Sequence, residues 1–127
     1  MAVASSRLGS PDPRRARMPA AAVSLFVNAA DVPWTERRPG VSWKVLWEDP
    51  DGRHKAILMR YAPGATIPRH RHAGDEQIFV LEGAVADDTG VCTAGNYARR
   101  PPGCEHTIVS ETGAVVFAVT SGPTEVI

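Results

Sequence analysis

Glycine and proline interrupt this chain so often that no long helix or long strand has room to run. The breaks fall at Pro39-Gly40, Pro50-Asp51-Gly52, Pro63-Gly64, Ala73-Gly74, Glu82-Gly83, Thr89-Gly90, Ala94-Gly95, Pro102-Gly103, Thr112-Gly113 and Gly122-Pro123. Proline presets φ for a turn, and glycine takes positive φ at little steric cost. Between the breaks lie short runs of strand type: Val41–Glu48, His54–Ala62, Glu76–Glu82, Asn96–Arg100, His106–Ser110 and Ala114–Thr120. Many are rich in β-branched and aromatic residues. No segment keeps apolar residues at helical spacing for three turns. Short strands between frequent turns predict an all-β sandwich or barrel.

The chain has 127 residues, of which 43% are hydrophobic, enough for one domain with a core. Residues 1–22 hold Ala, Arg, Pro and Ser and almost no large apolar side chain. Such a segment buries too little surface to offset its ordering entropy, so it is expected to be a flexible tail before a domain spanning residues 23–127. The net charge is zero, with +3 in residues 1–22 and −3 in the rest. No broad basic field is available for nucleic acid. No apolar run is long enough for a membrane span, and Ala20–Val27, broken by Ser24, is too short for a secretory signal. Cys92 and Cys104 form no CxxC pair and no disulfide framework. A cytoplasmic setting is expected.

The chemistry concentrates in three of the four histidines, which fall within 37 residues. His70 and His72 are two apart, so on a strand they project to the same face while Arg71 points away. Glu76 follows across the Ala73-Gly74 turn and opens the next apolar run. His106 opens another strand after the Pro101–Gly103 turn. Together these four side chains offer three imidazole nitrogens and one carboxylate oxygen, a set suited to Fe, Mn, Ni, Cu or Zn. A lone HxH signifies little. Here, however, each ligand stands at a fixed offset from the glycines and prolines that shape its turn.

Two motifs carry a family resemblance. Gly64-x5-His70-x-His72-x3-Glu76-x6-Gly83 resembles the first cupin motif, and Gly95-x5-Pro101-x-Gly103-x2-His106 resembles the second. Where the second motif often ends in Asn, Ser110 stands here. The flanks, including Trp34, Pro39-Gly40-Val41, Arg60–Ala65 and Val80–Gly83, resemble ChrR-like and acetylacetone-cleaving-dioxygenase-like cupins over roughly residues 25–121. The resemblance implies a double-stranded β-helix, or jelly roll, with one divalent metal ion held inside one mouth by His70, His72, Glu76 and His106. It also implies homodimers in many members. Some acetylacetone-cleaving relatives use three histidines without the carboxylate, so Glu76 separates this site from theirs.

Inward-facing parity extends the expected site. Ile78 and Val80 share a face with Glu76, and Ile108 and Ser110 share one with His106. Cavity walls are expected from Trp43, Val45 and Trp47, or from Met59 and Tyr61, and from Phe117 with Val119. Tyr61 is the expected polar contact to a small-molecule substrate and, with Glu76, a candidate catalytic residue. Arg69, Arg71, Arg99 and Arg100 flank the ligand segments; arginine there could steer an anionic substrate, but these residues are expected mostly on a solvated outer face. Asp75 is an alternative to Glu76 if the turn winds differently. Cys104 is read as a packed residue near the mouth, Cys92 as a small apolar filler, and His54 as exposed.

Three functions remain open at this point. The first is a mononuclear non-haem dioxygenase acting on a small carbonyl, enolisable or phenolic substrate. The second is a non-catalytic ChrR-like sensor or ligand-binding module. Anti-sigma factors of that kind carry the cupin behind a helical zinc-binding domain, which is not expected in a chain without His or Cys before His54. The third is a metal-dependent isomerase or cyclase, whose ligands would be the same.

Overall fold

A computed structural model describes residues 22–127. The expected flexible tail, residues 1–22, lies outside the described residues except for Ala22. After one 3-10 turn at Ala29–Asp31, ten strands follow: β1 Thr35–Arg38, β2 Val41–Glu48, β3 Lys55–Tyr61, β4 Ala65–His72, β5 Glu76–Asp87, β6 Gly90–Thr93, β7 Tyr97–Arg100, β8 Glu105–Ser110, β9 Ala114–Thr120 and β10 Thr124–Val126. All pairings are antiparallel, in the order β1-β2-β3-β9-β5-β8-β4-β10, with β6 and β7 also on β5. Among the described residues no helix is long and apolar enough to cross a membrane.

β5 binds the two halves together. Its first half pairs with β7 and β9, and its second half pairs with β6 and β8. The sheet therefore curls over itself into a jelly roll, of the all-β class that the turn pattern predicts and of the form that the family resemblance implies. At the crossing point Gly83 has φ +71°, and a Cβ there would sit 1.9 Å from the carbonyl oxygen of Gly113. Only glycine allows the two chains to approach this closely. Ser110 lies nearby, fully buried, and its hydroxyl donates to Ala84 O at 2.7 Å. The residue that departs from the second motif thus ties β8 to the far half of β5.

Side-chain alternation fills the interior with Val41, Ile57, Met59, Ile78, Val80, Val85, Ile108 and Val116. Each large aliphatic side chain buried in this way contributes roughly 1.5–3 kcal/mol relative to exposure. β8 alternates without a break, with His106, Ile108 and Ser110 all buried as expected. Met59 and Tyr61 on β3 also face inward.

Two expected walls are corrected. Phe117 and Val119 do not face the interior; Ala114, Val116 and Ala118 do. Every residue from Ala114 to Val119 is apolar, so composition carries no sign of which face is inner. Pairing decides it, because Ile78 stands opposite Ala118 and Phe79 opposite Phe117. Trp47 is also turned outward, 46% exposed, because the β2–β3 register slips between Val45 and Trp47. Trp43 and Val45, before that slip, pack against the core.

Candidate metal centre

Uninterrupted alternation on β4 would put Arg69 and Arg71 on the same face as Ala65 and Ile67. Its pairing with β8 shifts between Ile67 and His70 instead. Pro68, which has no N–H to give a ladder, occupies this bulge. Beyond it the inward face passes to His70 and His72, each at most 5% exposed. Register sets His70 opposite His106 on β8, and His106 is just as deeply buried. The turn of the second motif is bonded to a ligand of the first: His72 N–H donates to Cys104 O at 2.9 Å, and Gly103 N–H to His72 O at 2.7 Å.

The three imidazoles converge through Nε2. The Nε2 atom of His72 lies 3.2 Å from that of His70 and 3.0 Å from that of His106. His70 Nδ1 is 2.8 Å from Pro68 O, and His106 Nδ1 is 2.9 Å from a carboxylate oxygen of Asp87. Both of those oxygens only accept, so the ring protons sit on Nδ1 and the Nε2 lone pairs face one another. A single proton on His72 satisfies one neighbour and leaves the other opposed. A cation at the centre satisfies all three. Donors about 2.0–2.1 Å from a metal stand about 2.8–3.0 Å apart in an octahedral shell and about 3.3–3.4 Å apart in a tetrahedral one, a range that brackets the observed spacings. The residues therefore fit a metal ion.

Glu76 reaches this group through His72, at 4.0 Å from its Nε2. Among the described residues, the donor atoms that all lie within 4.8 Å of one another belong to the three histidines. The carboxylate is thus next to the triad rather than packed into it. Burial pushes its carboxyl up and the charge of Arg100 pulls it part of the way back. Asp75, the alternative, turns outward, with Oδ1 2.6 Å from Arg99 Nε.

Burial and neighbouring charge keep His70 and His72 neutral. Burial pushes His70 and His72 below the ordinary value, His72 to about 4, and neighbouring positive charge adds to the effect. Asp87 was not anticipated from sequence, because Asp87-Asp88-Thr89-Gly90 reads as an ordinary turn. Burial disfavours its ionised form, yet hydrogen bonds from His106 and Thr89 outweigh this and hold the carboxyl far below the usual range. An ionised Asp87 fixes the tautomer and the aim of His106.

The triad opens into a cavity of about 260 Å³ whose walls include Met59, Tyr61, Ile78, Val85, Ile108 and Arg100. Tyr61 is buried, and burial together with the charge of Glu76 pushes its phenol up, so it stays protonated. Arg100 corrects an expectation: it lines the cavity and is only 6% exposed, whereas Arg69, Arg71 and Arg99 form ion pairs outside. Cys104 sits in the second-motif turn, outside the donor group, where burial pushes its thiol up. His54 is exposed as expected, although it pairs with Asp49 at 2.7 Å.

Against known proteins, the family model of the ChrR Cupin-like domain matches residues 22–125. The anti-sigma-E factor ChrR of Cereibacter sphaeroides is 32% identical over 130 aligned positions, covering 97% of this chain and 60% of ChrR. The chain thus spans about three-fifths of the length of that relative. In the solved complex of Rhodobacter sphaeroides SigE with the anti-sigma ChrR, the similar chain is 33% identical, with a TM-score of 0.63 and coverage of 71% of this chain and 50% of the other. An acetylacetone dioxygenase from Acinetobacter johnsonii superposes with a TM-score of 0.72 at 16% identity, covering 87% of this chain and 81% of that one. At that identity the likeness concerns the fold.

Proposed function

The chain belongs to the ChrR cupin-like family, and from that premise we propose that it is a metal-dependent, dioxygenase-like enzyme acting on a small carbonyl, enolisable or phenolic substrate. One observation carries this reading: three buried imidazoles turn their Nε2 atoms toward a common point on the wall of a cavity. His70, His72 and His106 would hold one divalent ion (Fe, Zn, Ni or Mn), with Glu76 as a fourth ligand. Such an ion supplies Lewis acidity and, for iron, redox access to O2. The chain's own residues do the rest. Asp87 orients His106. The neutral phenol of Tyr61 donates a hydrogen bond to a substrate oxygen, and Glu76 takes or holds a proton beside it. The apolar walls at Ile78 and Ile108 exclude water.

Metal analysis of protein purified without added metal tests the site, and O2 uptake with a panel of 1,3-diketones and dihydroxyaryl ketones tests the activity. Anaerobic turnover would point to an isomerase or cyclase. No turnover with Fe(II), Ni(II) or Mn(II) across the panel would sink the enzymatic reading.

A second reading draws on the 32% identity to an anti-sigma factor. In it the domain senses a ligand and acts on a sigma-factor partner. Co-purification with a sigma factor, altered by removing the metal, would favour it over catalysis. We further propose a cytoplasmic homodimer. Outward on the β2–β3–β9–β5–β7 side, Trp47, Phe79, Leu81, Tyr97 and Val119 are 42–55% exposed, an apolar strip suited to a second copy. Light scattering gives the oligomeric state directly.

A further inference from the structure

The arginines around the two motifs fall into two populations. Arg69 lies 3.4 Å from Asp88, Arg71 pairs with Glu105 and Glu125, and Arg99 pairs with Asp75. Each of these three has a carboxylate partner on the outer surface. Arg100 is 6% exposed and lines the cavity, and its side chain has, among the described residues, no hydrogen bond and no carboxylate within 4.0 Å. The β5–β7 register places it opposite Glu76, and its side chain lines the same cavity as the triad. Its charge acts on His70, His72, Glu76 and Tyr61 alike.

Arg38, half-buried on β1, lines the same cavity and likewise has no partner among the described residues. Among the described residues that line the cavity, Glu76 is the sole carboxylate. Arg37 also lines the cavity, but it is exposed and lies over the Trp43 ring at 4.3 Å. With Glu76 engaged at the triad, no carboxylate lining the cavity among the described residues is left to neutralise Arg100 and Arg38. A guanidinium taken out of water without a partner is costly, and its fork of N–H donors matches a carboxylate. The cavity, about 260 Å³, lies near the lower end of the roughly 300–1,000 Å³ of small-molecule pockets, which limits the ligand to a few carbons.

We propose that Arg100, assisted by Arg38, forms an anion subsite, so that the substrate is a small carboxylic acid whose carboxylate meets the guanidinium while its carbonyl or enol oxygen faces the three histidines. The second half of that statement rests on the proposed metal-dependent function; the arginine subsite stands on burial and charge alone.

Two ligands that differ by one group test it: pentane-2,4-dione and 2,4-dioxopentanoate, the same diketone with a carboxylate in place of a terminal methyl. Their binding to zinc-loaded protein is measured by calorimetry at neutral pH, where no redox turnover intervenes. The carboxylate is expected to tighten binding about ten- to a hundredfold, the range of a hydrogen bond to a charged group. R100Q is expected to bring the ratio of the two affinities toward one. R100K should retain part of it, and R38Q should lower it less than R100Q. Should R100Q not fold, as judged by circular dichroism, R100K and R38Q still report on the ratio. Equal affinities in the wild-type protein, or an undiminished ratio in R100Q, would overturn the subsite. Zinc content is measured on the same samples. Protein that takes up no zinc on loading yet still prefers the carboxylate through Arg100 overturns the metal reading and keeps the subsite. Zinc-bound protein with no preference does the reverse.

Discussion

The two faces of the same strands carry opposite chemistry. Inward, β4, β5, β7 and β8 present His70, His72, Glu76, Arg100 and His106, all but Glu76 buried at 6% exposure or less. Outward, β2, β5, β7 and β9 present Trp47, Phe79, Leu81, Tyr97 and Val119 to solvent. An ordinary sheet buries its apolar face and wets its polar one. The partial inversion here has a physical meaning on each side. Buried polar groups need a partner such as a metal ion or an anion to offset desolvation. Exposed aromatic rows need another surface to cover them.

The inward face is where the largest effects are expected. His106→Ala removes one of three converging donors and should lower metal affinity by more than about a hundredfold, beyond the roughly 10–100-fold of an outer-shell partner. Elemental analysis after dialysis reads it, and full metal content in this variant would contradict the triad. Asp87→Asn leaves all three donors in place but weakens the hold on His106. Its metal affinity should fall about 10–100-fold, measured by competition with a chromogenic chelator.

Acid should act through the same face. Because burial depresses His70 and His72, the latter to about 4, the unfolded chain takes up protons that the folded metal-free chain refuses. Their contribution to stability is therefore complete above about 6.5, the ordinary imidazole value, and is lost progressively as pH falls toward 4. Urea midpoints of metal-free protein should drop between pH 7 and pH 5, and a flat profile would place the rings in water.

Smaller effects belong to the outward face. Phe79→Glu puts a charge into the exposed apolar strip without touching the interior. It should shift light-scattering mass toward the monomer while leaving metal content intact; an unchanged mass would move the interface elsewhere. Least of all, Arg71→Ala should leave metal content and thermal midpoint unchanged, because exposed ion pairs are screened by water. A loss of metal in this variant would mean that the outer arginines do support the site.

Much of this was legible in the chain itself. Turn residues mark the strand ends, and Val41–Glu48 and Ala114–Thr120 match β2 and β9 to the residue. The three histidines are recognisable because their offsets from Gly64, Gly83, Pro101 and Gly103 are short-range features, set by turns that need particular φ values. Four strands were less visible. β1, β6 and β10 have three or four residues each, too short for alternation to stand out, and β4 contains Pro68.

Other features are decided only by pairing across the sheet. Sequence distinguishes Arg99 from Arg100 no better than it distinguishes Phe117 from Ala118. Each pair consists of neighbours on one strand, so one member must point in and the other out, and nothing local says which. The bulges after Ile67 and Val45 reverse that choice partway along β4 and β2. Turn chemistry and ligand identity are local and so belong to the sequence. Which face is inner, and hence that Arg100 is buried beside the triad while Arg99 reaches Asp75, depends on hydrogen-bond register with distant strands, which the folded sheet alone supplies.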